Sequence, residues 1–251
     1  VITLESSGVT TITANGVSFD MVFVDGGSFT MGCVDGRDNN VYLDCASSES
    51  PSHQVTLTNG YYIGKFPVTQ ALWVAIMDTN PSYFPGDLNR PVERVSWDDI
   101  VNYFIPALNA LTGRTFRLPT EAEWEFAARG GNDSDGFIFS GGNIIGDVAW
   151  YTTNSGSTTQ AVGGKDPNEL GLFDMSGNVY EWVSDWWSST AYAGRESGVT
   201  DPTGPATGSL RVIRGGSWNS YARGCRVSYR SGGTPDNRNN NLLGFRLVLS
   251  L

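Results

Sequence analysis

The sequence is poor in basic charge, in histidine and in long apolar runs, and each shortage excludes a class of function. Sixteen Lys and Arg residues stand against 26 Asp and Glu residues, which gives a formal net charge of −10. This balance leaves no broad basic field, so we expect no binding to nucleic acid or to anionic lipid through bulk electrostatics. No apolar run reaches the roughly 20 residues of a membrane-spanning helix, and no signal peptide begins at Val1. We therefore expect a link to a membrane only through a lipid anchor that this sequence does not contain.

The sequence does contain the material for one large, loop-rich domain. It has 251 residues with eight Trp, 31 Gly and 11 Pro, and only 17% of its residues are charged. The aromatic residues can fill a packed core, and the frequent Gly and Pro indicate turns and ordered loops rather than a helical bundle. No shift in composition marks a boundary, so we predict a single domain over residues 1–251.

The three cysteines, Cys33, Cys45 and Cys225, leave two hypotheses open. Cys33 and Cys45 enclose a short polar loop, and a disulfide between them would stabilise the fold by restricting the unfolded chain. The alternative is a pair of unrelated buried thiols. We favour the disulfide, and because disulfides persist outside the cytoplasm, it also favours an extracytoplasmic location. The loop reads Asp-Gly-x-Asp-Asn at residues 35–39, but no complete EF-hand spacing follows, which argues against a cation loop.

Short strands and three helices are predicted from local patterns. β-branched and apolar segments bounded by Gly, Asn or Pro predict strands at residues 10–13, 19–24, 54–57 and 244–249. Apolar spacing predicts helices at 70–77, at 97–111 with a kink at Pro106, and from Thr120 to Gly130-Gly131. Thr69, Ser96 with Asp99, and the capping box of Thr120 with Glu123 are their start signals.

Eight motifs follow one another along nearly the whole chain. They are SFTMG (28–32), PxHxV (51–55), IGKFPVT (63–69), PVExVSW (91–97), RLPTEAEWE (117–125), GLFDMSGNVYEW (171–182), RGGSW (214–218) and GFR (244–246). In this order they resemble the formylglycine-generating-enzyme family. The resemblance implies an α+β domain with little regular secondary structure, of the C-type-lectin-like fold in its formylglycine-generating-enzyme subtype.

The resemblance also implies where catalytic residues would lie. Family members that oxidise a substrate cysteine bind copper through two cysteines, five residues apart, shortly after the RGGSW motif. In this sequence those positions are Ser220 and Cys225. Copper(I) needs paired thiolates, and one thiol cannot form a redox pair. We therefore expect no copper, no catalytic residue and no enzymatic activity, with Cys225 as a buried structural residue.

Several other residues of the motifs are expected to be structural. His53 is the sole histidine, and a structural role is more common than catalysis for such a residue. Arg117 and the glutamates at 121, 123 and 125 are more typical of an ion-pair and capping network than of an acid–base pair. The tryptophans at 182, 186 and 187 are more typical of a core than of an aromatic platform for sugars.

A calcium site is a further implication of the resemblance. The matching positions are Asp174 and Glu181 by side chain and Gly177 and Val179 by carbonyl. Two carboxylates and two carbonyls are hard oxygen ligands that suit calcium. The alternative is a tight loop in which Asp174 hydrogen-bonds its own backbone, and both remain open.

The C-terminal segment combines Tyr, Ser, Gly and Asn, which dominate antibody-type paratopes. It resembles the variable region of proteins that retroelements diversify by mutating adenines in Asn codons, most closely the spirochaete type of variable surface lipoprotein. We therefore predict a surface-displayed, receptor- or adhesin-like protein whose variable region, residues 214–246, binds an unknown macromolecule, in the first place a protein. The predicted ligand-binding residues are Ser220, Tyr221, Gly224, Tyr229, Ser231, Gly232, Gly233, Asn237, Asn239 and Asn240.

Three alternatives accompany this prediction. The first alternative is an ordinary non-catalytic family member with Asn-rich loops. The second is a formylglycine-generating-type cysteine oxidase, and the third is a carbohydrate-binding lectin. Against the lectin, the sequence has no Glu-Pro-Asn or Gln-Pro-Asp sugar loop.

Overall fold

The computed structural model describes residues 8–39 and 43–251. Asn40, which lies in the polar loop between Cys33 and Cys45, is outside the described residues. The strands are β1 Val9–Ala14, β2 Val17–Val24, β3 Gly27–Met31, β4 His53–Leu57, β5 Tyr61–Gly64, β6 Phe116–Arg117, β7 Tyr180–Trp186, β8 Val199–Thr200, β9 Arg211–Arg214, β10 Arg230–Gly233, β11 Leu243–Phe245 and β12 Val248–Leu249. The helices are α1 Gln70–Met77, α2 Trp97–Asp99, α3 Ile105–Thr112, α4 Glu121–Ala128 and α5 Ile145–Val148.

The strands form three small sheets. Their orders are β1-β2-β5-β12-β6, β10-β9-β7-β11 and β3-β4-β8. The pairs β7–β11 and β4–β8 are parallel, and the other pairs of the described chain are antiparallel. Short strands, short helices and long connections together make the α+β fold with little regular secondary structure that the motifs implied.

The predicted N-terminal strands are confirmed, because their local chemistry is sufficient. The segments 10–13 and 19–24 lie within β1 and β2, which form an antiparallel hairpin. Its turn is Asn15-Gly16, and both residues have positive φ, 45° and 81°. An Asn-Gly pair is the favoured sequence for such a turn, since Gly has no Cβ and Asn tolerates the left-handed region.

The helices begin at the predicted capping residues. The Thr69 hydroxyl accepts the Leu72 amide at the start of α1. Thr120 and Glu123 form a reciprocal capping box at the start of α4. The predicted helix over 97–111 is instead α2 and α3 joined by a π-helical turn at Ile100–Phe104. Pro106 is the second residue of α3. A proline in a helix removes one amide donor and its ring crowds the carbonyl four residues earlier, here that of Asn102 within the turn, which a wider turn accommodates.

The prediction of one terminal strand over 244–249 is wrong. β11 joins the sheet of β7, and β12 joins the sheet of β5, so the chain passes from one sheet to another. Arg246 lies between them with its side chain fully buried, and it donates to the Glu181 carboxylate and to the carbonyl oxygens of Gly64 and Phe173. The hydrophobic pattern contains no signal for this break, because a polar Arg246 after the apolar Phe245 fits the apolar–polar alternation expected of one continuous strand.

Buried ion pairs fasten the C-terminal region to the rest of the chain. Arg226 pairs with Glu49 at 2.7 Å, Arg230 with Glu121 at 2.6 Å, and Arg246 with Glu181 at 2.8 Å. Arg214, also fully buried, pairs with Glu125, whereas the partly exposed pair of Arg117 and Glu123 lies outside the C-terminal region. Removing one partner of a buried pair costs about 3–5 kcal/mol, so these pairs fix the C-terminal segment in place. They also agree with the structural roles expected for Arg117 and the three glutamates of its motif.

The core consists of two large clusters of buried apolar side chains, one around Trp182 and the other around Trp124. Trp182 is fully buried, as expected. Trp186 and Trp97 lie against the guanidinium of Arg211, whose central carbon is 3.4 and 3.8 Å from the two ring centres. Trp186 therefore stacks on a cation of the protein itself. Across residues 8–39 and 43–251, no helix has the length and apolarity needed to cross a membrane.

Candidate functional site

A tight turn after β9 holds Ser220. Its hydroxyl oxygen accepts the Ser217 amide at 3.0 Å and lies 3.2 Å from the Ser217 hydroxyl oxygen. The Tyr180 hydroxyl also hydrogen-bonds to the Ser220 side chain. Ser220 is therefore ordered by neighbours within the turn and on β7.

Cys225 ends a 3₁₀ turn at Ala222–Cys225 and is fully buried. It packs in a small cluster with Phe139, Val148 and Ala149. Burial raises the pKa of its thiol to about 12, so the thiol stays protonated at neutral pH. A protonated, enclosed thiol and a serine hydroxyl do not fit copper(I), which takes paired thiolates.

An open cavity of about 460 Å³ lies beside this turn. The residues that line it are Ala46, Tyr180, Asn219, Ser220, Tyr221, Arg223, Gly224 and Tyr229. Four of the predicted ligand-binding residues, Ser220, Tyr221, Gly224 and Tyr229, thus lie together. Tyr221 is 80% exposed, and burial raises the pKa of Tyr180 to about 12, so its hydroxyl remains a hydrogen-bond donor.

One wall of the cavity comes from the N-terminal half of the chain. Cys33 and Cys45 form a disulfide with an S–S distance of 2.00 Å. The Asp44 carbonyl accepts from Arg223 Nε at 3.2 Å and from Arg226 Nη2 at 3.1 Å. The disulfide-closed loop is therefore fastened to the C-terminal segment, and Ala46, the residue after Cys45, faces the cavity.

The structure does not bring Ser231, Gly232 and Gly233 into this cavity. They lie in β10, at the edge of its sheet, and the two glycines face tryptophan rings. A Cβ on Gly233 would lie 2.5 Å from Trp182 Cη2, and one on Gly232 would lie 2.9 Å from Trp187 Cγ. These glycines permit close packing against the two tryptophans, and their assignment as ligand contacts stays a prediction.

The predicted asparagines order a separate loop. Asn237 Oδ1 accepts the Asn239 amide at 2.9 Å, and Asn240 Oδ1 accepts the Leu242 amide at 2.9 Å. Asn239 Oδ1 accepts from the Arg94 guanidinium at 3.3 Å. This loop adjoins the cavity through Trp218, whose Nε1 donates to the Asn241 carbonyl at 3.0 Å. The side chains predicted to contact a ligand here partly hold their own backbone.

The residues of the implied calcium site have unequal surroundings. Both Glu181 oxygens accept from Arg246, and Oε2 also accepts from Trp124 Nε1 at 2.7 Å. Glu181 therefore does not fit a calcium ligand in this arrangement. Asp174 accepts only neutral donors, the Gly163 amide at 2.8 Å and the Asn178 amide group at 3.2 Å, and burial raises its pKa to about 6. Asp174 is thus the carboxylate that a cation would stabilise, and among the described residues no cluster of three or more acidic, Cys or His side chains offers another site.

Sequence reasoning missed four cavity residues, Ala46, Tyr180, Asn219 and Arg223. Asn219 and Arg223 lie inside the segment that we singled out, so their position was the available signal. No sequence signal could have identified Ala46, because it comes close to Tyr229 only in the folded chain. His53 is buried against Tyr192 at a centroid distance of 4.7 Å, which agrees with a structural role, and burial lowers its pKa.

Comparison with known proteins now identifies the family. The model of the sulfatase-modifying factor enzyme 1-like domain matches residues 10–251. The chain belongs to this family. The chaperone protein LppX of Paenibacillus barcinonensis is 33% identical over 85% of this chain and 83% of its own length. The formylglycine-generating enzyme of Streptomyces coelicolor is 42% identical, but the match covers 64% of this chain and only 53% of that enzyme.

Two solved structures have the same fold over nearly their whole length. Variable protein 1 of Treponema denticola superposes with a TM-score of 0.82 and 34% identity, covering 97% of this chain and 99% of its own. PvdO of Pseudomonas aeruginosa gives a TM-score of 0.82 at 26% identity, covering 99% of this chain and all of its own. The resemblance stated from the motifs, to formylglycine-generating enzymes and to a spirochaete variable protein, is confirmed.

Proposed function

We propose that this member of the sulfatase-modifying factor family is a ligand-binding protein without catalytic activity, whose segment 214–246 is diversified by a retroelement. One observation carries the proposal. Where oxidising family members have a cysteine pair, this chain has Ser220 on the wall of an open cavity and an enclosed Cys225 that does not line it. The position remains accessible, while one of the two thiols is replaced by a hydroxyl and the other is enclosed.

The division between framework and exposed residues supports a variable surface. Arg226 and Arg230 are fully or almost fully buried and paired with glutamates, so a substitution there would unfold the region. Tyr221 and Asn219 lie shortly before them in sequence, between the buried Arg214 and Arg226, but are exposed. Surface substitutions usually change stability by less than about 0.5 kcal/mol, so the exposed positions can change while the framework persists.

The composition of the cavity wall favours a protein as the ligand. Tyr221, Tyr229 and Tyr180 supply rigid rings with a polar end, and Ser220 and Asn219 supply adaptable hydrogen-bonding groups. Arg223 adds a cation at the rim. Such a mixture recognises the mixed polar and apolar surface of another protein better than a single class of small molecule.

We also propose an extracytoplasmic location, with display at the cell surface. The disulfide between Cys33 and Cys45 supports it, since such bonds persist in oxidising compartments. The resemblance to a variable protein of a spirochaete supports the same location.

The source genome provides the test of the proposal. We expect a reverse-transcriptase gene near this gene, together with a second copy of the segment encoding 214–246 that differs only at adenines. We expect the substitutions between copies to fall at cavity residues such as Ser220, Tyr221 and Tyr229, and to spare Gly233. Absence of both the reverse transcriptase and the second copy would contradict the variable-protein proposal and leave an ordinary non-catalytic family member.

A cysteine oxidase is the second candidate, and the 42% identity to the Streptomyces enzyme is the observation that favours it. It requires copper at Ser220 and Cys225. Titration of the purified chain with copper(I), with the Cys225→Ser variant as control, distinguishes the two functions. Tight binding that the substitution abolishes would favour the oxidase.

Calcium is proposed as a structural ion at Asp174, with the carbonyls of Gly177 and Val179 as further ligands. The buried Asp174 carboxylate supports this, because its hydrogen-bond donors, the Gly163 amide and the Asn178 side chain, are neutral and burial raises its pKa despite the nearby Arg246. Calcium at a hundred times its dissociation constant would stabilise the protein by about 2.7 kcal/mol. We expect it to raise the melting temperature of the wild type and not of Asp174→Asn. Equal melting temperatures of the wild type in calcium and in chelator would contradict the site.

A further inference from the structure

The loop at residues 79–84, which joins α1 to the segment before α2, is held by buried polar side chains. Glu93 Oε1 accepts the Phe84 amide at 2.9 Å, and the Ser82 hydroxyl accepts the Glu93 amide at 3.3 Å. Gln70 donates to the Phe84 carbonyl at 3.1 Å and accepts from Asn80 at 2.8 Å. Glu93 and Gln70 are fully buried. The buried side chains of Gln70 and Glu93 therefore hold the loop in one conformation before any partner binds.

The outward side of this loop carries aromatic rings that continue into the C-terminal segment. Tyr83 is 59% exposed, and its ring meets the Phe84 ring at a centroid distance of 4.9 Å and an angle of 88°. Phe84 in turn meets Trp218 at 5.4 Å and 90°. Edge-to-face contacts of this kind are favourable beyond their buried area, so the three rings form a fixed aromatic ladder.

The ladder adjoins the proposed variable surface at two places. Trp218 precedes Asn219 and Ser220 of the cavity, and it donates to Asn241 at the end of the Asn-rich loop. On the other side, Pro81 lines a cavity of about 190 Å³ together with Arg94 and Arg238. Arg238, in the middle of the Asn-rich loop, is 65% exposed. The 79–84 loop and the segment 218–241 therefore make one continuous face, with two arginines at its rim.

We propose that the aromatic ladder of Tyr83, Phe84 and Trp218 is an invariant anchor of the ligand-binding face, which receives an apolar side chain of a polypeptide partner. The inference rests on the proposed ligand-binding function and adds Tyr83 and Phe84, which lie outside residues 214–246, to the binding face next to Trp218. An exposed tyrosine on a preordered loop loses little entropy on binding, and tyrosine and tryptophan dominate the binding energy of protein interfaces. Arg238 is already paired with Asp99, so the rim cation that fits a carboxylate next to that apolar side chain is Arg94, which hydrogen-bonds to the neutral Asn239.

Peptides selected on the wild-type chain provide the probe. A displayed library of random linear peptides is enriched on the full chain, and the selected peptides are synthesised and their dissociation constants measured by fluorescence anisotropy. The ligand-binding function predicts that these peptides lose affinity for Tyr221→Ala or Tyr229→Ala. The ladder predicts that the same peptides lose about tenfold or more for Tyr83→Ala. Tyr83→Phe, which keeps the ring, should bind within about twofold, and Leu111→Ala, an exposed apolar residue at the end of α3, should bind as the wild type does.

The contact itself is tested by a double-mutant cycle. Replacing the apolar residue of a selected peptide by alanine should weaken binding to the wild type and have little further effect on Tyr83→Ala. Circular dichroism melting of each variant shows whether it is folded at the temperature of measurement.

The two proposals fail in different ways. Peptides that are sensitive to Tyr221→Ala or Tyr229→Ala but bind Tyr83→Ala as they bind the wild type would overturn the anchor and leave the binding function intact. Peptides that are indifferent to both Tyr221→Ala and Tyr229→Ala, or a selection that yields none, would count against the binding function and against the anchor that depends on it.

Discussion

At the scale of single residues, Asp185 of β7 has a buried carboxylate that contacts the first residue of α4. Its Oδ2 accepts the Glu121 amide at 2.8 Å and the Ser184 hydroxyl at 3.0 Å. Burial is the main cause that raises its pKa from 3.8 to about 7, and the nearby Glu121 carboxylate adds to the rise. The folded protein thus holds this proton to a higher pH than the unfolded chain does.

This proton makes stability fall as the pH rises. Because the pKa is raised on folding, the contribution of Asp185 is fully present below about pH 4 and is lost as the pH passes through about 7. Over this range one additional bound proton changes the free energy of unfolding by about 1.4 kcal/mol per pH unit. We expect Asp185→Asn, which stays neutral and can still accept the Glu121 amide, to reduce the slope by that amount between pH 5 and 6.5. Urea denaturation at several pH values measures it, and an unchanged slope would contradict the assignment.

At the scale of elements, β10 separates positions that can vary from positions that cannot. Ser231 and Gly233 lie two residues apart in the same strand. A methyl group on Gly233 would press into the buried ring of Trp182, whereas Ser231 already carries a side chain. We expect Gly233→Ala to cost about 1–3 kcal/mol and Ser231→Ala to cost less than about 0.5 kcal/mol. Melting temperatures of the two variants decide the matter, and equal values would show that the glycine is not needed for packing.

The disulfide loop is the second element with a measurable role. A covalent loop of this size, with 12 residues of separation, stabilises a fold by about 3 kcal/mol in the chain-entropy account. We expect Cys33→Ala/Cys45→Ala to lose about that much and to exchange amide hydrogens faster at Ala46 and Arg226, beside the cavity. Reductant should lower the urea midpoint of the wild type and have no effect on the double variant. A wild type that is insensitive to reductant would contradict this role.

Local chemistry allowed prediction of some elements and not of others. The Asn15-Gly16 turn and the Thr120 capping box each depend on neighbours in sequence, so their strands and helix could be placed in advance. The break at Arg246 depends on Glu181, 65 residues away, and is invisible in a local pattern. Only part of the cavity lining could be predicted, for the same reason. Tyr221 belongs to the segment with the paratope-like composition, whereas Ala46 reaches the cavity only through the disulfide loop.

At the scale of the whole molecule, a rigid frame supports the exposed surface around the cavity beside Ser220. The frame consists of two apolar clusters and of arginines from the C-terminal region that pair with glutamates from earlier segments. The buried arginines flank two exposed stretches: residues 219–223 lie between Arg214 and Arg226, and residues 234–239 lie between Arg230 and Arg246. The segment is therefore held at both ends of each exposed stretch. Such a frame would keep its shape while the exposed face changes, as a variable binding protein requires.

The central claim is that the face beside Ser220 and Cys225 recognises a ligand and does not react with it. The most direct measurement is incubation of the purified chain with copper, oxygen and a cysteine-containing peptide, followed by mass spectrometry of the peptide. We predict that the cysteine remains unconverted with and without copper, because the Cys225 thiol is enclosed and has no thiol partner at position 220. Conversion of the peptide cysteine to an aldehyde, abolished by Cys225→Ser, would contradict the account.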